Sequence, residues 1–398
     1  MNRVVVVGAG LAGLRACQGL RQRGYTGALT LLGDEPHPPY DRPPLSKQYL
    51  AGEWPRERVL LEPDERLVAL GIELRLGPQH RAAALDLAGR VLGLDSGEEL
   101  SFDGLVLATG ARARSLAAFE GLRAGHVLRS LDDAAALRSE LAGGDRRLLV
   151  VGGGFIGMEV AATSRRLGAE VTVVEPLPAP LARALGAEVG AAAGLLHERH
   201  GVRLLLGTGI AAASERPGGG IHAELTDGTT VEVDLAVVGV GAAPNVEWLD
   251  GSGLEVGPAG VACDSCLRAG PGVVVAGDLA LWRMKDGRQV RIEHRTNAAE
   301  QGDHAAAVLL GSTAPFETVP YVWSDQYDVK IQVLGLPEPD DECRVVAGSP
   351  GEGRFAAVYG RAGVVSGAVG FSMPRQVMRL RPLIAAGAPY DEAIELLA

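Results

Sequence analysis

Two stretches of this chain repeat one device and limit what it can fold into. VVVVGAGLAG (4–13) and LLVVGGGFIGME (148–159) each run from β-branched and leucine residues into Gly-x-Gly-x-x-Gly and on into a helix-compatible segment. In such a turn the first glycine (Gly8, Gly152) reverses the chain, and the second (Gly10, Gly154) lets backbone approach a pyrophosphate. The third (Gly13, Gly157) lets helix and strand pack closely. The N–H groups that open the helix, in the first copy those of Leu11, Ala12 and Gly13, then face the negative charge. One copy is a weak signal. Two copies, each directly after a strand-like run, predict a chain that binds two dinucleotides and can pass electrons between them.

The rest of the pattern is α/β. Residues 3–7 read as strand, 11–23 as helix and 28–32 as a second strand ending at Gly33, Asp34 and Glu35. An acidic residue about 20 positions past a glycine turn is placed to accept hydrogen bonds from a ribose. Asp34 and Glu35 stand 21 and 22 residues after Gly13, either in that role or as plain loop residues. The pattern restarts with a strand at 148–151, a helix at 157–167 and a strand at 170–175 that ends on Glu175, 18 residues past Gly157. A carboxylate there accepts from a free 2′-hydroxyl and repels a 2′-phosphate, which predicts NADH over NADPH. HPPYDRPPLSKQYL (37–50), with prolines at 38, 39, 43 and 44, is excluded from helix and central strand. It reads as a stiff loop from which Arg42 and Lys47 project.

Residues 59–110 read as further β structure, closing on a buried strand, GLVLATG (104–110), whose small residues admit close backbone approach. Segments 202–206, 223–225 and 230–233 read as an antiparallel excursion, and 235–240 and 273–277 as buried strands, the last running into AGDLA. Past Gly311, aromatic and β-branched residues gather at 319–334, hairpins follow at 344–371, and helices close the chain at 374–386 and 390–397. In the first of these helices Val377, Leu380 and Ile384 share one apolar face.

Composition excludes several classes. With 398 residues, 47% of them apolar, and 55 glycines, there is room for two or three packed domains. A net charge of −11 and no lysine- or arginine-rich run argue against nucleic acid or an anionic membrane as the general partner. The sequence has no signal-peptide layout and no apolar span of about 18 residues, so a soluble cytoplasmic protein is expected. Four cysteines are too scattered for a disulfide scaffold. Cys263 and Cys266 form a C-x-x-C, but no second Cys/His pair with ligand spacing accompanies it, so it reads as structural and no metal site is expected.

With both glycine turns, PPYDRPPLSK (38–47), ATG (108–110), the GD pair (277–278) and WSDQY (323–327), the chain resembles the FAD-dependent NADH:ferredoxin reductases that serve bacterial oxygenases, of the putidaredoxin reductase and biphenyl dioxygenase reductase type. The resemblance covers essentially the whole chain. It implies two Rossmann-like dinucleotide-binding domains, an FAD domain (1–112 and 241–315) interrupted by an NADH domain (113–240), with a C-terminal α+β domain (316–398) last. It places Gly8, Gly10 and Gly13 on the FAD pyrophosphate and Asp34 or Glu35 on its adenosine ribose. It also implies that Arg42, Lys47 and Arg129 contact the FAD, and that Asp278 hydrogen-bonds its ribityl or pyrophosphate segment. Gly152, Gly154, Gly157 and Glu175 would hold NADH, with Glu159 near the nicotinamide and Trp323 beside the isoalloxazine.

Arg295 departs from the many relatives with an apolar residue there; a cation near the flavin would tune its potential, meet an acidic partner or merely face solvent. The implied chemistry is hydride transfer to the flavin followed by two single-electron steps to a [2Fe-2S] ferredoxin serving a cytochrome P450 or Rieske-type oxygenase. No acid–base dyad is required. A dithiol relay beside either glycine turn would mark other acceptors, and none is present. The alternatives are a rubredoxin reductase, an NADH oxidase, or a non-catalytic protein like apoptosis-inducing factor, which the acidic balance disfavours. Because ferredoxins of this kind are acidic, the expected docking surface is a local basic patch of Arg375, Arg379 and Arg381 with Arg291 and Arg295.

Overall fold

The computed structural model describes residues 1–397, which form two compact units: 1–41, 56–112 and 242–318 in one, 42–55, 113–241 and the segment from 319 in the other. In the first, six strands lie in the order Arg268–Gly270, Val273–Val275, Gly104–Leu107, Arg3–Val7, Ala28–Gly33 and Glu73–Leu76, parallel except at the hairpin edge. Val4 to Val7 are all buried, as a parallel strand covered on both faces must be. Helices Leu11–Gln22 and Arg295–Leu309 share one core with Val4 and Val6. They are pressed together at glycine: a Cβ on Gly302 would come within 2.2 Å of the Ala12 carbonyl oxygen. An antiparallel meander, Ala82–Asp86, Val91–Leu94 and Glu99–Ser101, completes the β structure read between 59 and 110.

The second unit holds a five-stranded parallel sheet in the order Arg203–Leu206, Glu170–Glu175, Arg147–Val151, Leu235–Val238 and Gly125–Val127. It also holds a five-stranded antiparallel sheet, Tyr321–Gln326, Val329–Gly335, Val364–Phe371, Arg354–Arg361 and Glu342–Ser349.

Several elements differ from the sequence reading. Residues 203–206 are the parallel edge of the sheet rather than part of the antiparallel excursion, which consists of Ile210–Glu215, Ile221–Leu225 and Thr230–Val233. The helical segment Ala182–Arg199, two helices meeting at a kink at Gly186 (φ +77°), carries no clean apolar stripe in sequence, because the kink interrupts it and alanine and glycine fill much of the rest. Helices Leu131–Leu141, which starts on a Ser130–Asp133 capping box, and Asp64–Ala69 were also not legible as such. The single helix expected at 374–386 is two, Pro374–Arg379 and Arg381–Ala386, with Pro382 in the first turn of the second. Val377 and Leu380 of the expected face are fully buried, and Ile384 is partly so.

Candidate functional site

The two glycine turns fold almost identically. In the first, Gly8 has φ +115° and a Cβ on it would lie 2.1 Å from the Ala108 oxygen, at the end of the neighbouring strand Gly104–Leu107. In the second, Gly152 has φ +103° and its Cβ would lie 2.5 Å from the Gly239 oxygen, just past Leu235–Val238. The third glycines are equally constrained: a Cβ on Gly13 would sit 2.0 Å from Gly8 O, and on Gly157 2.1 Å from Gly152 O. Gly10 and Gly154 differ in kind, since nothing lies within 4 Å of their Cβ positions. They N-cap the helices Leu11–Gln22 and Phe155–Arg166, and no side chain caps either. Open space, side-chain-free amides and the positive helix end together fit a pyrophosphate at each turn.

The acidic residues at the second strands are placed differently. Glu175 is clamped at the rim of its turn, accepting from Gly153 N at 2.6 Å and Leu177 N at 2.9 Å. A carboxylate has about four acceptor sites, so two remain for a ribose. Of the first-turn pair, Asp34 is exposed while Glu35 is half-buried and accepts the Tyr40 hydroxyl, which makes Glu35 the better held of the two. Asp278 sits in the turn Gly277–Leu279, where Gly277 N donates to Gln301 Oε1. A Cβ on Gly277 would come within 3.0 Å of Ala12 Cβ, so this turn abuts the start of the helix Leu11–Gln22 that follows the first glycine turn. Arg295 makes a bidentate approach to Asp41 at 2.7 and 2.9 Å. Its charge is met by Asp41, and the side chain stays 31% exposed.

In the second unit the proline loop brings its basic residues to defined partners. Arg42 donates to the carbonyl of Arg129, pairing two residues that the sequence reading had assigned to the same cofactor. Lys47 is buried and its Nζ lies 2.7 Å from Glu159 Oε2, with Ser46 Oγ at 3.5 Å. An ammonium has three donors, and those two contacts use two. Glu159, on the second turn of helix Phe155–Arg166, also accepts from Ser46 Oγ and, through Oε1, from Ser324 Oγ at 2.7 Å. Thr163, one helical turn on, donates to the Ser46 carbonyl at 2.8 Å and pins the loop to the helix. Trp323 is half-buried beside Tyr321, on the strand face opposite Ser324 and Gln326. Ser46, Ser324, Gln326, Thr163 and Asp41 were missed in the sequence. The period-2 spacing of Ser324 and Gln326 in WSDQY is the one signal that could have found two of them.

All four cysteines are free. Burial pushes the Cys17 and Cys263 thiols up to about 12, the opposite of what a redox thiolate needs. Of the residues expected to form a basic patch, Arg291 pairs with Glu293 at 2.5 Å and Arg295 with Asp41, so their charges are met locally, whereas Arg375 and Arg379 are exposed.

Two nucleotide turns on parallel sheets define a flavin- and pyridine-nucleotide-dependent oxidoreductase, and known proteins agree. The pyridine nucleotide-disulphide oxidoreductase model matches residues 2–302 and a reductase C-terminal model matches 321–395, so the chain belongs to that family, whose ferredoxin–NAD(+) reductases use FAD and NAD(H). It is 39% identical over 391 residues to the ferredoxin–NAD(+) reductase component of the anthranilate 1,2-dioxygenase system of Burkholderia cepacia, covering 97% of this chain and 95% of that one. Among solved structures, putidaredoxin reductase in its covalent complex with putidaredoxin has a TM-score of 0.93 at 33% identity, covering 99% of this chain and 95% of that one. The ferredoxin reductase for the CYP199A2 system of Rhodopseudomonas palustris has a TM-score of 0.93 at 34% identity over the full length of both chains.

Proposed function

We propose that this chain is the FAD-dependent NADH:ferredoxin reductase of an oxygenase system, taking reducing equivalents from NADH and delivering them singly to a [2Fe-2S] ferredoxin that supplies a cytochrome P450 or Rieske-type oxygenase. The observation that carries it is the pair of matched glycine turns, together with Cys17 and Cys263, whose thiols are buried and hard to ionise. A family member without a usable dithiol relay must hand electrons out at its edge, which suits a small iron–sulfur protein and not a disulfide substrate. The full-length likeness to ferredoxin reductases of dioxygenase and P450 systems supports the same acceptor.

When bound, the flavin supplies the conversion of a two-electron hydride donor into single electrons. The chain's part is to bind, orient and exclude water. In this reading Gly8, Gly10, Leu11, Ala12 and Gly13 present amides to the FAD pyrophosphate, Glu35 holds its ribose, and Asp278 and the Arg42–Arg129 pair take further FAD oxygens. Gly152, Gly154, Gly157 and Glu175 hold NADH, Glu159 orients the nicotinamide, Lys47 lends a buried positive charge to the flavin edge, and Trp323 packs beside the ring. Domain limits of 1–112 with 241–315, 113–240 and 316–398 follow from this assignment. No helix among the described residues is long and apolar enough to cross a membrane, and we place the protein in the cytoplasm.

Anaerobic stopped-flow absorbance of the purified yellow protein tests the reading. NADH should bleach the flavin quickly, NADPH slowly, and a [2Fe-2S] ferredoxin should reoxidise it. Reoxidation by oxygen alone would move the protein to the NADH oxidase reading.

A further inference from the structure

Glu159 is not held by Ser46, Lys47 and Ser324 alone. Behind Ser324 runs a file of side chains. Gln326 Nε2 donates to Ser324 Oγ at 3.1 Å, Gln326 Oε1 meets His197 Nε2 at 2.9 Å, and His197 Nδ1 meets the Tyr327 hydroxyl at 3.4 Å. Ser324, Gln326 and His197 are fully buried. The carboxylate at the end sets the direction of every link. Glu159 Oε1 can only accept, so the single Ser324 hydrogen points at it. Ser324 Oγ must then accept from the Gln326 amide, which turns Gln326 Oε1 towards His197 and demands a hydrogen on His197 Nε2. Burial holds the imidazole neutral, its pKa lowered to about 4, so Nδ1 is left to accept from Tyr327. Four hydrogen bonds therefore run in one sense, from Tyr327 to Glu159, and each polarises the next.

The backbone at the head of the file supports a dedicated role. Tyr327 occupies the left-handed region (φ +56°) in the turn between strands Tyr321–Gln326 and Val329–Gly335, where glycine or asparagine is the easy choice. Its ring is fixed there, stacked on His200 at 3.6 Å and 8° and edge-on to His197 at 5.1 Å. A strained tyrosine kept in place by two histidines puts its hydroxyl at the one position that can start the file.

We propose that Tyr327, His197 and Gln326 are positioning residues for Glu159, acting through Ser324 to keep the carboxylate in the single orientation that receives the nicotinamide carboxamide. The proposal rests on the assignment of Glu159 to the nicotinamide. Lys47 and Ser46 fix one carboxylate oxygen; the file fixes the other, and a carboxylate held at both oxygens has no torsional freedom to lose when the nucleotide binds.

The test uses the FAD-loaded protein and a redox-inert tetrahydronicotinamide analogue of NADH, with dissociation constants from flavin absorbance and melting temperature as the check on folding. Gln326→Leu and His197→Phe should each weaken analogue binding about tenfold and raise KM for NADH with kcat for ferricyanide less affected, as for loss of a buried hydrogen bond. His197→Gln, which retains an N–H donor towards Gln326, should restore most of the affinity. In a Ser324→Ala background, where the file is already cut, Gln326→Leu should cost nothing further. Should the single variants not fold, Tyr327→Phe keeps the stacked ring and removes only the first donor; it should weaken binding about twofold to threefold, an effect likewise lost in Ser324→Ala. Binding unchanged in folded Gln326→Leu, or additive with Ser324→Ala, overturns the positioning role. Glu159→Gln is run alongside: if it leaves analogue binding unchanged, the nicotinamide assignment itself fails and the proposal with it, whereas a weakened Glu159→Gln with an unaffected Gln326→Leu sinks the positioning role alone.

Discussion

At the residue scale, we propose that Glu175, at the end of the strand Glu170–Glu175, sets coenzyme choice. Glu175 does two jobs with one carboxylate: it closes its own loop through the amides of Gly153 and Leu177 and leaves acceptor capacity at the rim of the turn. A 2′-phosphate brought to the same rim would meet a fixed negative charge that backbone hydrogen bonds prevent from swinging away. Glu175→Ala should therefore raise KM for NADH about tenfold and narrow the preference for NADH over NADPH by at least as much, measured as the ratio of the two kcat/KM values. A preference unchanged in the variant would place specificity elsewhere. Glu175 was legible in sequence because it sits at a fixed offset from a glycine turn, a spacing that the βαβ unit imposes. Ser46 and His197 were not. Each reaches its partner only through the tertiary fold, Ser46 meeting Glu159 113 residues away and His197 meeting Gln326 129 residues away, and no local period records such a meeting.

At the scale of the element, the strand–turn–helix unit separates two demands that the sequence motif writes with one letter. Gly13 is needed by the protein, because its Cβ would lie 2.0 Å from Gly8 O, in the body of the turn. Gly10 is not needed by the protein, because its φ of −90° suits any residue and no protein atom lies within 4 Å of its Cβ, so we propose that the ligand requires it. Gly10→Ala should fold with a melting temperature, measured on the stripped apoprotein, within a few degrees of the parent, yet retain FAD poorly. Gly13→Ala should lower the apoprotein's melting temperature outright, consistent with an overpacking cost of about 1–3 kcal/mol. Equal damage from both would show that Gly10 is a structural glycine too. The same element explains which parts of the fold the sequence revealed. The stretches 4–7 and 148–151 of the parallel strands, buried throughout, announce themselves as unbroken apolar runs. The helix Ala182–Arg199 does not, since Gly186 breaks its period and small residues blur its buried face.

At the scale of the whole molecule, acid should loosen the chain before its paired carboxylates such as Asp234 and Asp303 are protonated. His197 is fully buried and burial pushes its pKa down to about 4, from an ordinary value of 6.5. His294 is shifted the same way by burial, although the nearby Asp278 partly opposes the shift. The two lie in different units, and burial lowers His126 and His304 in the same direction. A histidine with a depressed folded pKa binds more protons unfolded than folded between those two values, so its contribution to stability is fully present above pH 6.5. It is lost as pH falls towards 4, at about 1.4 kcal/mol per pH unit and about 3 kcal/mol in all for His197. Paired carboxylates such as Asp234 beside Arg147 and Asp303 beside Arg23 are held below their usual range of 3.8, so they begin to cost stability only beneath this window. Melting temperatures of the holoprotein should therefore fall steadily from pH 7 to pH 4.5. In His197→Gln, which retains a donor to Gln326 but has no proton to gain, the slope should be visibly flatter. A variant whose acid slope matched the parent's would mean that His197 is already solvated enough to protonate in place, and that the buried file behind Glu159 opens in acid without unfolding.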